Sequence, residues 1–495
     1  GSLESNLNEG ALMTEAFNAL GYAASTIGNH EFDFGPAGKD AIPVKPSDDP
    51  REVLKLRAKE ADFPLLAANL IDAATGERVA WENVMPATTV DVAGVRIGII
   101  GILTRSTPLT TIPANVVGLR IAPLTETIVT EAQKLRSAGA ELVIVTAHAG
   151  GRCDDLGDPR DISSCDLSRE ILAVANSLPP GLVDVINGGH EDNALAHIIN
   201  GVAVIAGLSY TRAISRVDLV FDRTSRSVRD VRVFPPQALC QWQAPTTGAC
   251  VWPGAGTDDA VAATYAGHPV EPDPAVVAIA ERAVAAAAEL RNEQLGVFLA
   301  DRLTRAGNPH SALANLTLRA LYESLDADVA VLNVSGGLRA DLPAGDLNYG
   351  DVYTMFPFDN RVAFLDISGA ELRRIVAGQA HNHRRRAGMY GLRVVLDCSD
   401  DRLDITMTLD DGRVVQDDDR IRIAANDFLA LGGDGMLRPI MPAEGFEYAD
   451  DPRFVREVIA DWLRRHGGTL EPADFVKESD RRWDVPESLP ATCAL

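Results

Sequence analysis

An asparagine, a histidine and an aspartate stand close together in Gly28-Asn29-His30-Glu31-Phe32-Asp33. An Asn carbonyl oxygen can ligate a hard or borderline cation. A neighbouring imidazole can donate to a phosphoryl oxygen, and a carboxylate three residues on can orient that imidazole. As a bare string the segment also reads as a structural turn. Two other stretches favour the chemistry. Leu142 to His148 is a continuous apolar run ending in His148, and Ala149-Gly150-Gly151 follows it. Val183 to Gly189 is a second such run, ending in His190-Glu191-Asp192. Each reads as a buried parallel strand. Open α/β sheets gather ligands at the carboxyl ends of their strands. One histidine at a strand end is usually a satisfied polar residue. Histidines at three successive strand ends point instead to a metal site that gathers Asn29, His148, His190 and Asp192, with His30 beside it.

The surrounding pattern supplies elements to hold these residues. Ala11 to Leu20 has helical periodicity and precedes the short apolar stretch Tyr22 to Ile27. Val95 to Gly101, Val202 to Ala206 and Val217 to Phe221 read as further strands. Thr125 to Ala138 and Ser168 to Ser177 read as helices. A chain of 495 residues is too long for one ordinary core. The first domain is expected over residues 1–232. Residues 233–296 read as a connector: Pro235 to Pro274 is rich in Pro, Gly, Ala and Thr, and an Ala- and Glu-rich helix is expected from Pro274 to Leu295. A second domain is expected over 297–485, with helices from Ser311, Gly369 and Arg453. Its strands are expected at Val329 to Val334, Val362 to Ile367, Val394 to Asp397, Ile405 to Leu409 and Ile421 to Ala425.

These blocks resemble the calcineurin-like metallophosphoesterases, and specifically the bacterial 5'-nucleotidase and UDP-sugar hydrolase family. The resemblance continues through Asn333-Val334-Ser335-Gly336-Gly337-Leu338-Arg339, Tyr349-Gly350-Asp351, Phe356-Pro357-Phe358-Asp359-Asn360 and Asn426-Asp427-Phe428-Leu429-Ala430-Leu431-Gly432-Gly433-Asp434-Gly435, in the family's order. It implies an α/β fold: a metallophosphoesterase-type α/β/β/α sandwich followed by a second α+β substrate-recognition domain. It also implies two divalent metal ions of the zinc or manganese type. Asn29, His148 and His190 would serve one, and Asp192 would contribute to the other. His30, oriented by Asp33, would stabilise the transition state. Phe358 and Phe428 would sandwich a base, although a Phe after Pro is by itself more often core. Asn333 would bind the base edge, Arg339 the sugar-phosphate side and Asp434 the ribose. Arg305 would be a further anion-binding residue, or equally a solvated Arg at a helix start.

Two departures from the family pattern stand out. The family's Asp-x-His and Gly-Asp motifs are not found ahead of Asn29, where both belong. An N-terminal piece of the domain is therefore expected to be missing, and this chain is expected to bind metal weakly. Relatives carry His, Gln or Asn at the position of Asp192, and a carboxylate there would favour harder ions. The implied activity is hydrolysis of nucleoside 5'-monophosphates. UDP-sugar hydrolysis, cyclic-nucleotide phosphodiesterase action, a thiosulfohydrolase-like reaction and nucleotide binding without turnover stand as alternatives.

A formal charge of −24 argues against a nucleic-acid polymer as partner. A small nucleotide remains compatible with a few Arg residues and metals. No apolar run has the length of a membrane span. Cys153 and Cys165 bracket one polar loop and Cys240 and Cys250 another, leaving Cys398 and Cys493. The even count and the two short loops favour three disulfides and an extracytoplasmic compartment over six unrelated thiols. The basic patch His381-Asn382-His383-Arg384-Arg385-Arg386 reads as a surface loop. The pattern does not specify an oligomeric state.

Overall fold

The computed structural model describes residues 1–493 except 39, 252–258, 307–309, 382–385, 441–445, 449–452, 478–479, 487–488 and 491. Most of the basic patch therefore lies outside the described residues. Its last member, Arg386, is buried over the ring of Trp483.

In the first domain the apolar runs form a six-stranded sheet. Its order is Ala194–Ile199, Val202–Gly207, Val185–Asn187, Leu142–His148, Val95–Leu103 and Ala87–Val92. The four inner strands are mutually parallel, and an antiparallel strand closes each edge. The helices Leu124–Ser137 and Glu170–Ser177 bury Ile128, Ala132, Ile171 and Leu172 against Ile100, Val143 and Val145. A smaller parallel sheet, Ser25–Thr26, Leu65–Leu66 and Val84–Met85, packs on the other face. A Cβ on Gly101 would lie 2.1 Å from Leu66 Cβ, so a glycine is needed where the two sheets meet. Helix Glu52–Glu60 contributes Leu54 to the core beyond the small sheet. The result is the layered sandwich the resemblance implied.

The second domain has a five-stranded sheet ordered Gly388–Tyr390, Val329–Leu332, Arg420–Asn426, Val362–Ser368 and Glu447–Tyr448. Side chains of a strand alternate between faces, and here both faces are buried. Ala330, Leu332, Val362, Phe364 and Ala424 enter one core with helices Ala312–Ser324 and Val455–His466. Val329, Val331, Ala363, Leu365, Ile423 and Ala425 enter the other with helix Gly369–Gln379.

The connector holds more regular structure than its composition predicts. The strand hairpin Ala213–Asp222 and Ser227–Ala238 runs past residue 232, and short two-residue strands follow from Trp242 to Pro269. Helix Pro274–Arg291 stops before the expected Leu295, because Gln294–Leu299 is a strand whose even-numbered positions are exposed and whose odd-numbered positions are buried. Leu3, in the N-terminal helix Leu3–Asn6, is buried in the second domain's core. Ion pairs Glu4–Arg291 and Glu15–Arg282 tie the N-terminal helices to the connecting helix.

All three expected disulfides are present: Cys153–Cys165, Cys240–Cys250 and Cys398–Cys493.

Candidate active site

The parallel strands deliver their carboxyl ends to one edge of the sheet. His148 closes its strand, and His190 follows three residues after Asn187. Asn29 arrives from the facing small sheet, whose Thr26 hydroxyl donates to the Thr146 carbonyl across 2.9 Å. Asn29 Oδ1 lies 2.7 Å from His148 Nε2 and 3.2 Å from His190 Nδ1. The two imidazole nitrogens are 3.2 Å apart. Asn29 Nδ2 donates to the Thr110 carbonyl at 2.6 Å, which fixes the amide with its oxygen toward the histidines.

This trio fits a divalent cation. Adjacent ligands on an octahedral ion with bonds of about 2.1 Å stand about 3 Å apart, close to the three separations above. Burial, with His190 and His30 nearby, holds His148 down at about 3. Burial also lowers His190. In both cases burial favours the neutral imidazole, the form that can offer a lone pair. Gly28 makes room for His148: a Cβ there would lie 2.8 Å from its Nδ1. Asp192 is exposed and shares no hydrogen bond with the trio among the described residues. His190 sits at φ 70° and redirects the chain, so that Glu191 reaches back to pair with Arg169. The structure thus joins three of the four expected ligands.

His30 lies beside them with its side chain 47% exposed, and its Nδ1 is 2.6 Å from Asp33 Oδ2. The Asp33 carboxylate raises the pKa of His30 against the opposing effect of burial. Within one site the surroundings thus push the histidines in opposite directions, His148 and His190 down and His30 up. Thr111 Oγ1 donates to the second oxygen of Asp33 at 3.1 Å.

The second domain brings two of the expected substrate residues, Phe358 and Arg339, to this edge. The Phe358 ring lies 6.2 Å from the His30 ring, and the Arg339 guanidinium stands 5.2 Å over Phe358. Arg456 is buried. It donates to the Phe358 carbonyl at 3.0 Å and to Asp359 at 2.7 Å, holding that loop. Asn333 donates to the Asp434 carboxylate, while its Oδ1 caps Gly336 N at 3.1 Å. Phe428 covers Gly433, where a Cβ would lie 2.4 Å from the ring. Phe358 and Phe428 pack on different cores. Their loops are joined through Asn360, which donates to Asp427 at 3.1 Å. Arg305 is exposed, donates to the Leu338 carbonyl at 3.0 Å, and so braces the residue next to Arg339.

Residue-type reasoning missed Thr104, Ser106, Thr110, Thr111 and Glu170. The hydroxyl-rich octet Thr104 to Thr111, placed directly after the strand Val95–Leu103, was the available signal.

Fold and site together define a metallophosphoesterase-type sandwich joined to a nucleotidase-type recognition domain. Residues 285–440 match the family described as 5'-nucleotidase, C-terminal domain. Along most of its length the chain is similar to bacterial 5'-nucleotidases and UshA proteins. It is 24% identical to protein UshA of Yersinia enterocolitica, with 94% of this chain and 80% of that protein covered. It is also 24% identical to a 5'-nucleotidase of Vibrio cholerae, with 93% and 79% covered. Among solved structures, the 5'-nucleotidase precursor from Thermus thermophilus shares the fold with a TM-score of 0.71 at 20% identity, covering 99% of this chain and 88% of that one.

Proposed function

We propose that the chain is a metal-dependent phosphoric ester hydrolase acting on nucleoside 5'-monophosphates and releasing nucleoside and phosphate. The observation that carries this reading is the approach of Phe358 and Arg339, from the nucleotidase-type domain, to His30 beside the Asn29–His148–His190 trio. A divalent cation held by the trio supplies Lewis acidity toward a phosphoryl oxygen. In this reading a second cation, zinc or manganese in type, draws on Asp192. His30 carries its proton toward the equatorial oxygens, where charge accumulates during phosphoryl transfer, and Asp33 holds the ring in place. Arg339 faces the sugar-phosphate, Phe358 and Phe428 the base, and Asn333 and Asp434 the base edge and ribose. Arg305 supports the anion side through the Leu338–Arg339 backbone. The three disulfides support an extracytoplasmic location, where oxidising conditions maintain them.

The test compares adenosine 5'-monophosphate with a small aryl phosphate in the presence of Mn²⁺. Stacking on an aromatic side chain contributes about 1–3 kcal/mol per base. Phe358→Ala or Phe428→Ala should therefore weaken nucleotide binding by about 5- to 150-fold and leave the aryl phosphate nearly unchanged. His30→Ala should slow both substrates. Equal losses on both substrates in the Phe variants would refute base recognition by these rings.

A further inference from the structure

The octet Thr104 to Thr111 contains no residue of the trio or of the His30–Asp33 pair, yet it contacts each part of the site. Ser106 Oγ lies 3.1 Å from His190 Nε2, the ring nitrogen facing away from the trio. Thr104 Oγ1 is 3.0 Å from Ser106 Oγ and donates to Glu170 Oε2 at 2.5 Å. Glu170 Oε1 accepts from the Arg105 backbone N–H at 3.0 Å, which secures the far end of this chain. The polarity is set by its terminus. Glu170 is a carboxylate and can only accept, so Thr104 donates to it, Ser106 donates to Thr104, and His190 Nε2–H donates to Ser106. That order leaves the lone pair of His190 on Nδ1, facing Asn29 and His148. Four residues after Ser106, the Thr110 carbonyl holds the Asn29 amide at 2.6 Å. The next residue, Thr111, donates to Asp33 at 3.1 Å. Thr104, Thr107 and Thr111 are buried. The short helix Thr107–Thr110 also packs against the Gly433–Gly435 turn that carries Asp434.

We propose that residues 104–111, with Glu170, form the positioning element of the site: Ser106 sets His190 as a metal ligand, and Thr111 sets the Asp33–His30 pair. This rests on the metal-centre reading above. Because the same octet abuts the Asp434 turn, the recognition domain and the reactive groups are referenced to one short segment. Ser106 and Thr111 act through other residues and touch no substrate in this scheme.

The two arms have separate readouts. Partners that orient ligating histidines typically account for about 10–100-fold in metal affinity. Ser106→Ala should weaken Mn²⁺ binding by about that factor in calorimetry, Ser106→Thr should restore it, and the metal-free melting temperature should not move. A hydrogen bond to a charged group is worth about 1.5–3 kcal/mol. Thr111→Val should therefore lower kcat on an aryl phosphate at saturating Mn²⁺ by tenfold or more without changing Mn²⁺ affinity, and Thr111→Ser should recover it. Parental Mn²⁺ affinity in Ser106→Ala, or parental kcat in Thr111→Val, would overturn the proposal while the metal-centre reading stands. Loss of metal-free stability in step with loss of affinity would also overturn it, because the role would then be structural. A parent chain that takes up no Mn²⁺ would overturn the metal-centre reading, and this proposal with it.

Discussion

Replacing Gly28 with alanine should weaken metal binding at the proposed Asn29–His148–His190 site while leaving the fold intact. Gly28 does not occupy the left-handed region, so the backbone tolerates alanine. The constraint is space. The added Cβ would lie 2.8 Å from His148 Nδ1, 2.9 Å from His148 Cε1 and 2.9 Å from Glu31 Oε2. Favourable non-bonded separations for carbon begin at about 3.5 Å, so the imidazole or the strand end must move by about 0.6–0.7 Å. Ligand distances in a working metal site are held within about 0.2 Å, so this displacement is several times the tolerance. Overpacking typically costs about 1–3 kcal/mol, and each 1.4 kcal/mol is tenfold in affinity. If His148 absorbs the strain, Mn²⁺ affinity should fall by about 5- to 150-fold. Calorimetric titration with Mn²⁺ reads the affinity directly, and circular dichroism with a metal-free melt shows whether the fold survives. Binding within twofold of the parent would refute the claim that Gly28 is required by the approach of His148.

Two further predictions concern stability. The Cys398–Cys493 bridge spans 95 residues and the Cys153–Cys165 bridge 12. In the chain-entropy account these loops correspond to about 5 and about 3 kcal/mol, so Cys398→Ala/Cys493→Ala should lower the melting temperature more than Cys153→Ala/Cys165→Ala. Buried Asp427 is raised from 3.8 to about 6, chiefly by desolvation. Between those values the folded state binds a proton that the unfolded state has lost, so stability falls as pH rises through the window and stays reduced above it. Asp427→Asn, which keeps an acceptor for Asn360, should therefore stabilise the protein at pH 7.5 by up to about 3 kcal/mol. The gain should vanish near pH 4. An equal gain at both pH values would contradict the assignment.

The parts of the site that could be read from sequence were those whose chemistry is concentrated in a few residue types. Asn29, His148 and His190 lie at or within three residues of strand ends, and the apolar runs before them carry that information. The central strands of the second domain were equally legible, because burial on both faces makes every residue from Val329 to Leu332 apolar. The contribution of the Thr104–Thr111 octet was hidden for the opposite reason. Threonines and serines occur wherever a chain turns, and only the fold shows that these hydroxyls face His190 and Asp33. The end of the connecting helix was misjudged because Gln294 and Leu295 suit helix and strand alike, and their pairing with Asn348 and its neighbours decided the outcome.

The burial of Leu3 among second-domain side chains bears on how this molecule can be taken apart. The core around Val297, Leu313 and Leu347 is completed by a residue from the opposite end of the chain, and the Glu4–Arg291 and Glu15–Arg282 pairs fasten that end in place. A recognition domain excised after residue 296 would present an open socket where Leu3 had been. The remaining fragment would carry an exposed leucine with nothing to cover it. The two halves are therefore modular in architecture but not in autonomy, and neither can be presumed to report, in isolation, the behaviour it has in the whole chain.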